Sequence, residues 1–220
     1  FLTEEMCLNI ANIYDGWISG DDQITSKVID HFLPKLKVIS KWGSGIDSID
    51  ANYATKAGLA LKYSPGAFKD SVGEMAIGYL LALTRGIVRT HVDIMGSKWP
   101  KRPSRTLNNL EVGIVGLGAI GEGVASRLTA LGCQVSYCDP NVDSVQYRKQ
   151  NLSELLSSNE AVVITCDLND ATRGLFDVKR FAEMRNDAYL INVSRGPIIV
   201  EEALIDSLSK GRLSGVALDV

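Results

Sequence analysis

Histidine and cysteine are scarce in this sequence, and no long apolar run is present. The chain has two histidines and four cysteines, and its cysteines form no CxxC pair, so the ligand clusters typical of zinc sites are missing. No apolar run reaches the roughly 20 residues that a membrane-spanning helix needs. There are 23 basic residues against 26 acidic ones, whereas nucleic-acid-binding proteins usually carry a basic surplus. We therefore expect no metal, membrane or nucleic-acid partner. A reduced, cytoplasmic protein is the default expectation for such a sequence.

The length and the two ends of the sequence bear on its domain organisation. With 220 residues, 45% of them hydrophobic, the chain can form one large domain or two small ones. It begins at Phe1 in a helix-like run and ends in a strand-like run, GVALDV, at 215–220. We interpret the sequence as part of a longer chain.

Short apolar runs alternate with segments of helical periodicity along the chain. This alternation predicts parallel strands joined by crossover helices, and so an α/β fold. The runs predicted as strands are 14–19, 37–41, 59–63, 111–116, 134–138, 161–165, 188–193 and 215–220.

One long helix separates the first three predicted strands from the rest. Apolar residues recur at helical spacing from Ser71 to Met95, and Ser71 with Glu74 has the pattern of a capping box. The following segment, 96–109, is basic and holds two prolines, which is typical of a solvated loop. We therefore place a domain boundary at this helix and loop.

The run GLGAIG, from Gly116 to Gly121, joins the predicted strand 111–116 to a helical segment at 119–131 with GxGxxG spacing. Gly116 permits the tight turn, Gly118 lets the backbone approach a pyrophosphate, and Gly121 lets the helix pack closely on the strand. The N-terminus of that helix then offers amide groups to the phosphates. The GxGxxG spacing alone is not specific, because it also occurs at plain turns. The prediction of dinucleotide binding therefore rests on its position between a strand and a helix.

Asp139 ends the next predicted strand, about twenty residues further on, where the dinucleotide fingerprint has its acidic residue. Its carboxylate can accept hydrogen bonds from the adenosine ribose hydroxyls and would repel the 2′-phosphate of NADP. The residues from Pro140 to Val142 supply no arginine to receive that phosphate. We therefore predict NAD as the cofactor. The alternative is that Asp139 and Pro140 only form a strand-ending turn.

Arg195 follows a later predicted strand, in the run INVSRGPII at 191–199. Ligands of parallel sheets bind beyond the carboxyl ends of the strands. An arginine in that position can bind a carboxylate through two N–H groups and polarise a neighbouring carbonyl. Alternatively, Arg195 is a surface residue that pairs with Glu201 or Glu202.

A second candidate anion site follows the predicted strand 37–41. Gly43, Ser44 and Gly45 can turn their backbone N–H groups toward one anion, or they form a simple turn. Lys41 either adds charge to that pocket or is solvated.

Three runs together resemble the D-isomer-specific 2-hydroxyacid dehydrogenase family, on its phosphoglycerate dehydrogenase side: ISKWGSGIDSID, GIVGLGAIG and INVSRGPIIVEEALIDSLSKGRLSGVALDV. The similarity extends from LPKLKVIS to Val220. It implies two doubly wound parallel-sheet domains with a cleft between them, a flavodoxin-like substrate domain and a Rossmann dinucleotide-binding domain, with the C-terminal part lying beyond Val220. We accordingly expect a substrate-type domain at 1–70, a hinge helix at 71–98 and an NAD-binding domain at 99–220.

The resemblance also implies roles for individual residues. Arg195 corresponds to the catalytic arginine that binds the substrate carboxylate and orients its C2 oxygen, and the N–H groups of Ser44 and Gly45 hold the same carboxylate. Asp139 corresponds to the ribose-binding acid and Asp219 to the aspartate near the nicotinamide carboxamide. The other implied cofactor-binding positions are Gly116, Gly118, Ala119, Ile120, Gly121, Cys166, Val193 and Ser194.

The sequence departs from the family pattern in three ways. The histidine acid/base of the family and its glutamate would lie beyond Val220, and neither His31 nor His91 matches, so we expect both to be structural or exposed. Asp167 replaces a usual proline and places a carboxylate near the cofactor. Phe68 replaces a residue that is often small and polar. We expect loop shape, pocket or cofactor affinity to differ at these two positions.

The activity that the resemblance implies is hydride transfer between NAD and C2 of a D-2-hydroxy or 2-oxo acid, with 3-phosphoglycerate as one candidate. It also implies a homodimer formed through the nucleotide-binding domain, with the long helix and the loop at Trp99 as contributors. Without the histidine, residues 1–220 should bind NAD weakly at best and not turn over. The main alternative is a non-enzymatic NAD-sensing protein similar to the corepressors that resemble this family. A hydrolase with tightly bound NAD is a further one, against which the missing cysteine and histidine signatures argue.

Overall fold

The computed structural model describes residues 1–220, and the chain divides into two compact units, residues 1–68 and 69–220. The division falls within two residues of the boundary placed after residue 70. The segment 71–98 was expected to stand apart as a hinge, but the helix that begins it packs in the core of the second unit through Ala76 and Leu80.

The first unit is a three-stranded parallel sheet with helices between its strands. Its strands run in the sequential order β1-β2-β3, which is one half of a doubly wound arrangement. Val28, Ile29 and Phe32 pack with Ile39 in its core. The elements are α1 (Glu4–Leu8), β1 (Gly16–Ser19), α2 (Ser26–Phe32), β2 (Val38–Lys41), α3 (Ala51–Lys56) and β3 (Ala60–Lys62).

The second unit is a six-stranded parallel sheet flanked by helices. Its helices are α4 (Lys69–Thr84), α5 (Ile87–Met95), α6 (Ala119–Ala130), α7 (Leu152–Ser158), α8 (Val178–Glu183) and α9 (Glu201–Ser209), with a 3₁₀ turn at Gly196–Ile198. Its strands are β4 (Glu111–Val115), β5 (Gln134–Cys138), β6 (Arg148–Lys149), β7 (Ala161–Ile164), β8 (Ala188–Asn192) and β9 (Leu213–Leu218).

The strand order of this sheet is β6-β5-β4-β7-β8-β9, with every pair parallel. The chain winds outward from β4 in one direction through β5 and β6, and then returns to the other side of β4 at β7. This is the order of a Rossmann fold, in which a ligand-binding crevice forms where the winding reverses. The α/β class predicted from the sequence is confirmed.

Burial explains why the central strands read as continuous apolar runs. All four residues of β7 are buried, as are Val112 to Val115 of β4, because helices cover both faces of a parallel sheet. Side-chain caps fix several of the helix starts. Asn151 and Glu154 form a reciprocal capping box at α7, with N–H···O distances of 3.0 and 3.2 Å.

The single helix predicted from Ser71 to Met95 is wrong in two respects. It is divided into α4 and α5 at Gly86, which has a left-handed φ of 63° that glycine adopts without strain, and the two helices bend by 58°. Ser71 is also not its N-cap, because α4 begins at Lys69 and Ser71 lies inside its first turn. No single helix of the structure combines the length and apolarity of a membrane span, whereas α4 and α5 taken together would do so by length and composition only.

One predicted strand requires a smaller correction, and one strand was not predicted. The last strand runs over Leu213–Leu218 instead of 215–220. The two-residue strand β6 was not predicted, since Arg148 and Lys149 are exposed and offer no apolar alternation. All other predicted strands are present within two residues of their expected bounds.

Candidate dinucleotide and substrate site

The glycine-rich turn after β4 is built around two close backbone approaches. Gly116 has a φ of 95°, and a Cβ atom placed on it would lie 2.5 Å from Cα of Cys166. A Cβ atom on Gly121 would lie 2.1 Å from the carbonyl oxygen of Gly116. Any side chain at either position would therefore push the start of α6 away from the ends of β4 and β7. The predicted tight turn and close helix packing are both present.

Gly118 has a different environment from the other two glycines. A Cβ atom on it would meet nothing within 4 Å, and Gly118 and Ala119 are exposed at the N-terminus of α6. No side chain caps this helix. Exposed backbone at an uncapped helix N-terminus fits a phosphate group, because amide N–H groups and the helix dipole point toward it. The backbone is thus open at the position where the sequence predicts the pyrophosphate. The half-buried Ile120 follows in the first turn.

Asp139 directly follows β5 and braces the glycine-rich turn. Its Oδ1 accepts a hydrogen bond from the N–H of Asn141 and its Oδ2 accepts one from the N–H of Leu117, each at 2.8 Å. The first contact is the strand-ending turn considered as an alternative. The second ties the carboxylate to the residue between Gly116 and Gly118, which the sequence did not indicate. A carboxylate has about four acceptor sites, so this side chain retains capacity for ribose hydroxyls.

Asn192, the last residue of β8, organises the segment that carries Arg195. Its side chain is fully buried. Its Oδ1 accepts a bond from the N–H of Ser194 and its Nδ2 donates one to the carbonyl oxygen of Arg195, each at 3.0 Å. Asn192 was not identified from the sequence as a functional residue, although a polar residue at the end of an apolar strand is a pattern that indicates one.

Arg195 is half-buried at the carboxyl end of β8, and its Nη1 donates to the carbonyl oxygen of Ser194 at 2.8 Å. Val193, two residues before it, is buried in the core of the second unit. The hydroxyl of Ser194 donates to the carbonyl oxygen of Cys166, so the segment after β8 is tied to the segment after β7. Residues predicted around the cofactor on separate strands are therefore brought together at one sheet edge.

Cys166 packs against the glycine-rich turn as a neutral side chain. Burial raises the pKa of its thiol to about 11, so the thiol is protonated at neutral pH. The neighbouring Asp167 is exposed, and its carbonyl oxygen accepts a bond from the hydroxyl of Thr172 at 2.6 Å. That bond closes the turn in which the family has a proline.

Asp219 lies directly after β9 and is held by two elements. Its N–H donates to the carbonyl oxygen of Asn192 at 3.0 Å, which continues the pairing of β9 with β8. Its Oδ1 accepts a bond from the hydroxyl of Tyr79 on α4 at 2.7 Å. That bond raises the pKa of Tyr79 above its usual value, so the phenol keeps its proton.

In the first unit, Ser44 and Gly45 lie half-buried in the loop after β2. Ser64, after β3, donates its N–H to the carbonyl oxygen of Gly43 at 3.0 Å, which joins the two loops. Lys41 is neither solvated nor free to add charge there. Its side chain is only 3% exposed, because its ammonium group pairs with Asp21 and also donates to the carbonyl oxygen of Gly20.

Neither histidine has the surroundings of an acid/base group. A ring nitrogen of His31 lies 3.0 Å from the carbonyl oxygen of Ile10, and its ring packs edge-on against Phe32. His91 is exposed on α5. Both agree with the expectation of structural or exposed residues. Phe68, the last residue of the first unit, is 38% exposed.

The strand order, the glycine-rich turn and the acid after β5 define a dinucleotide-binding α/β protein. Residues 77–220 match the family model described as D-isomer specific 2-hydroxyacid dehydrogenase, NAD binding domain. The chain belongs to this family, as the resemblance implied.

Individual relatives agree with this assignment. The glyoxylate reductase of Thermofilum pendens is 35% identical over 216 residues, which cover 90% of this chain and 62% of that protein. The TT0316 protein of Thermus thermophilus has a TM-score of 0.89 and 29% identity, covering 100% of this chain and 72% of that one. D-lactate dehydrogenase of Aquifex aeolicus, solved with NAD and lactic acid, has a TM-score of 0.91 and 25% identity, covering 99% of this chain and 68% of that one. The chain spans about three fifths of the length of the curated relatives it matches.

Proposed function

We propose that the protein to which this chain belongs is an NAD-dependent oxidoreductase acting on C2 of a D-2-hydroxy acid or the corresponding 2-oxo acid. The observation that carries the proposal is the placement of Arg195. It lies at the carboxyl edge of the same parallel sheet as the glycine-rich turn, in a segment fixed by the buried side chain of Asn192. A guanidinium at a ligand-binding sheet edge suits a carboxylate substrate.

The residues around the glycine-rich turn fit NAD, which when bound supplies the hydride acceptor or donor. The exposed backbone at Gly118 and Ala119 would hold the pyrophosphate, because nothing occupies the space that a Cβ atom of Gly118 would fill. Asp139 would accept bonds from the adenosine ribose and disfavour a 2′-phosphate. Asp219 would orient the carboxamide.

Arg195 would bind the substrate carboxylate and stabilise negative charge on the C2 oxygen. In the first unit, the N–H groups of Ser44 and Gly45 would donate to a carboxylate as well. The proton that accompanies the hydride needs a separate acid/base group. Since His31 bonds to a backbone carbonyl and His91 is exposed on α5, we propose that residues 1–220 bind NADH without turning over.

Calorimetric titration of the chain with NADH and with NADPH tests this proposal. We expect NADH to bind at least about tenfold more tightly, a difference of about 1.4 kcal/mol. Addition of oxamate, an unreactive 2-oxo acid analogue, should tighten NADH binding in the parent chain and have no effect on the Arg195→Ala variant. The variant Arg173→Ala, which removes an arginine from the loop after β7, is the control. Equal affinity for both dinucleotides, or oxamate coupling that survives in Arg195→Ala, would contradict the proposal.

We also propose that the protein is a homodimer that uses α5 and the loop after it. None of the residues of α5 is buried, and Val92 and Met95 are 62% and 74% exposed, with Trp99 at 88%. Apolar surface of this kind on one helix is typical of an interface. Analytical ultracentrifugation should show a dimer for the parent chain and a monomer for Val92→Glu. The control Val145→Glu, which changes a fully exposed valine in a different loop, should leave the dimer intact, and a monomeric parent would exclude this interface.

We finally propose a reducing, cytoplasmic location. The support is chemical: all four cysteines are free thiols, which oxidising compartments tend to pair. Cell fractionation followed by mass spectrometry of trapped thiols would test it, and recovery of the protein with oxidised cysteines from a secretory fraction would overturn it.

A further inference from the structure

Tyr79 and Asp219 are joined across 140 residues of sequence by one hydrogen bond, from the phenol to Oδ1 of the carboxylate at 2.7 Å. Tyr79 lies on α4, and its ring packs against the apolar core of the second unit. Asp219 lies in the exposed segment after β9, at the carboxyl edge of the sheet. The bond therefore connects a side chain fixed by packing to a side chain at the ligand-binding edge.

The backbone of Asp219 is fixed independently of Tyr79. Its N–H bonds to the carbonyl oxygen of Asn192 at 3.0 Å, so the position of its Cα atom follows from strand pairing. Two side-chain torsions then remain to be set. An exposed aspartate would otherwise populate several rotamers, and the Tyr79 hydroxyl selects the one in which Oδ1 faces α4.

The second carboxylate oxygen, Oδ2, remains as an acceptor. An amide –NH2 group is the matching donor, since an ionised carboxylate can only accept hydrogen bonds. The nicotinamide carboxamide carries such a group and a ketone does not. Because the bond to Asp219 also raises the pKa of the Tyr79 phenol, the phenol remains a donor throughout the neutral range.

We propose that Tyr79 is a positioning residue that holds the Asp219 carboxylate in the orientation that receives the carboxamide N–H of the nicotinamide. This inference rests on the proposed function, because it assumes that a nicotinamide dinucleotide binds at this sheet edge. It assigns to α4, a helix outside the glycine-rich turn, an effect on recognition of the cofactor ring that acts through Asp219.

The test compares NADH with the reduced acetylpyridine analogue, in which an acetyl group that cannot donate a hydrogen bond replaces the carboxamide. We expect Tyr79→Phe to weaken NADH binding about three- to tenfold, the cost of ordering one loosened side chain, and to leave the affinity for the analogue unchanged. The matched control is Tyr189→Phe. Tyr189 packs against the same core from the start of β8, at the opposite edge of the sheet, and its loss of a phenol should change neither affinity.

A double-mutant cycle supplies the second measurement. Once Asp219→Ala has removed the carboxylate, adding Tyr79→Phe should cause no further loss of NADH affinity. If NADH binds to the parent chain, three outcomes would overturn the role of Tyr79. Tyr79→Phe could lose affinity equally for NADH and the analogue, it could lose affinity for neither, or its loss could add fully to that of Asp219→Ala. Failure of the parent chain itself to bind NADH would instead overturn the proposed function, and this inference with it.

Discussion

The side chain of Asn192 donates a hydrogen bond from Nδ2 to the carbonyl oxygen of Arg195 at 3.0 Å. The same amide accepts a bond from the N–H of Ser194 at 3.0 Å. One buried side chain, that of Asn192, thus closes the turn that presents Arg195. The carbonyl oxygen of Asn192 also accepts a hydrogen bond from the N–H of Asp219. The orientation of the proposed catalytic residue Arg195 therefore depends on Asn192, which is the last residue of β8.

Replacement of Asn192 by alanine should loosen this turn and destabilise the second unit. The N–H of Ser194 would lose a buried partner, which costs about 1–3 kcal/mol. Urea unfolding measures the loss, and amide hydrogen exchange locates it. We expect the protection of Ser194 to fall further than that of Ile191, whose buried strand amide should lose only the amount set by the global free energy of unfolding. Unchanged protection of the Ser194 amide in Asn192→Ala would contradict the role assigned to this side chain.

Alanine substitutions at Gly121 and Gly118 in the glycine-rich turn should affect stability and cofactor binding separately. Alanine at Gly121 would place its Cβ atom 2.1 Å from the carbonyl oxygen of Gly116, and such overpacking costs about 3 kcal/mol. Alanine at Gly118 would meet nothing within 4 Å, so its free energy of unfolding should change by less than about 1 kcal/mol. Its NADH affinity should nevertheless fall, since the methyl group would occupy the proposed pyrophosphate position.

Urea denaturation and NADH titration of both variants check this separation. Tight NADH binding by Gly118→Ala would mean that no phosphate approaches the backbone there. A fully stable Gly121→Ala would mean that the start of α6 can shift without loss of packing.

Replacement of Asp139 by asparagine should change the choice of dinucleotide. The amide oxygen of asparagine can still accept the bond from the N–H of Leu117, now 2.8 Å from Oδ2, so the glycine-rich turn should hold. Its NH2 group then replaces the oxygen that accepts from the N–H of Asn141, so that bond is lost and only the turn after β5 should loosen. The negative charge that disfavours a 2′-phosphate is lost. We expect the ratio of NADPH to NADH affinity to rise by about tenfold, measured by titration with each. Asp143→Asn, which removes a charge from the exposed loop after β5, should leave the ratio as it is in the parent chain.

Sequence patterns predicted the parallel strands well because burial on both faces leaves continuous apolar runs, as in Ala161 to Ile164. Sequence patterns gave a wrong prediction where a local feature of one residue conflicts with the apolar periodicity around it. The apolar period continues from Leu83 to Ile87 across the break at Gly86, so the pattern predicts one helix and the left-handed glycine forms two. The strand at Arg148 and Lys149 is defined only by its pairing with β5, which no local pattern records.

For the candidate site as well, sequence patterns could identify some features and not others. The glycine spacing, Asp139 and Arg195 could be identified because each follows a predicted strand. Their supporting contacts could not, since they join residues distant in sequence: Asp139 to Leu117, and Tyr79 to Asp219. Lys41 gave the wrong expectation because its burial depends on Asp21, twenty residues away, which sequence spacing does not place beside it.

The ion pair between Arg105 and Glu160 should make stability depend on pH in the acid range. Nε and Nη2 of Arg105 donate to the two carboxylate oxygens at 3.2 and 3.1 Å. This contact lowers the pKa of the Glu160 carboxyl below 4.5, although burial opposes the shift. A folded-state pKa below the unfolded value stabilises the fold at pH above about 4.5, and this contribution is lost as the pH falls through the lowered pKa. Both side chains are partly exposed, so solvent screening keeps the contribution to about 1 kcal/mol or less.

Arg105→Gln should therefore be less stable than the parent chain at pH 7, with a difference that shrinks as the pH is lowered from 4.5 toward 3. Urea unfolding at a series of pH values measures it. Lys210→Gln breaks an exposed i,i+4 pair with Asp206 and should cost under about 0.5 kcal/mol at any pH. Added salt should reduce the Arg105 difference at pH 7, because partly exposed charges are screened. A difference that is independent of both pH and salt would show that Arg105 stabilises the fold by packing and by its bond to the carbonyl oxygen of Asn109, rather than by its charge.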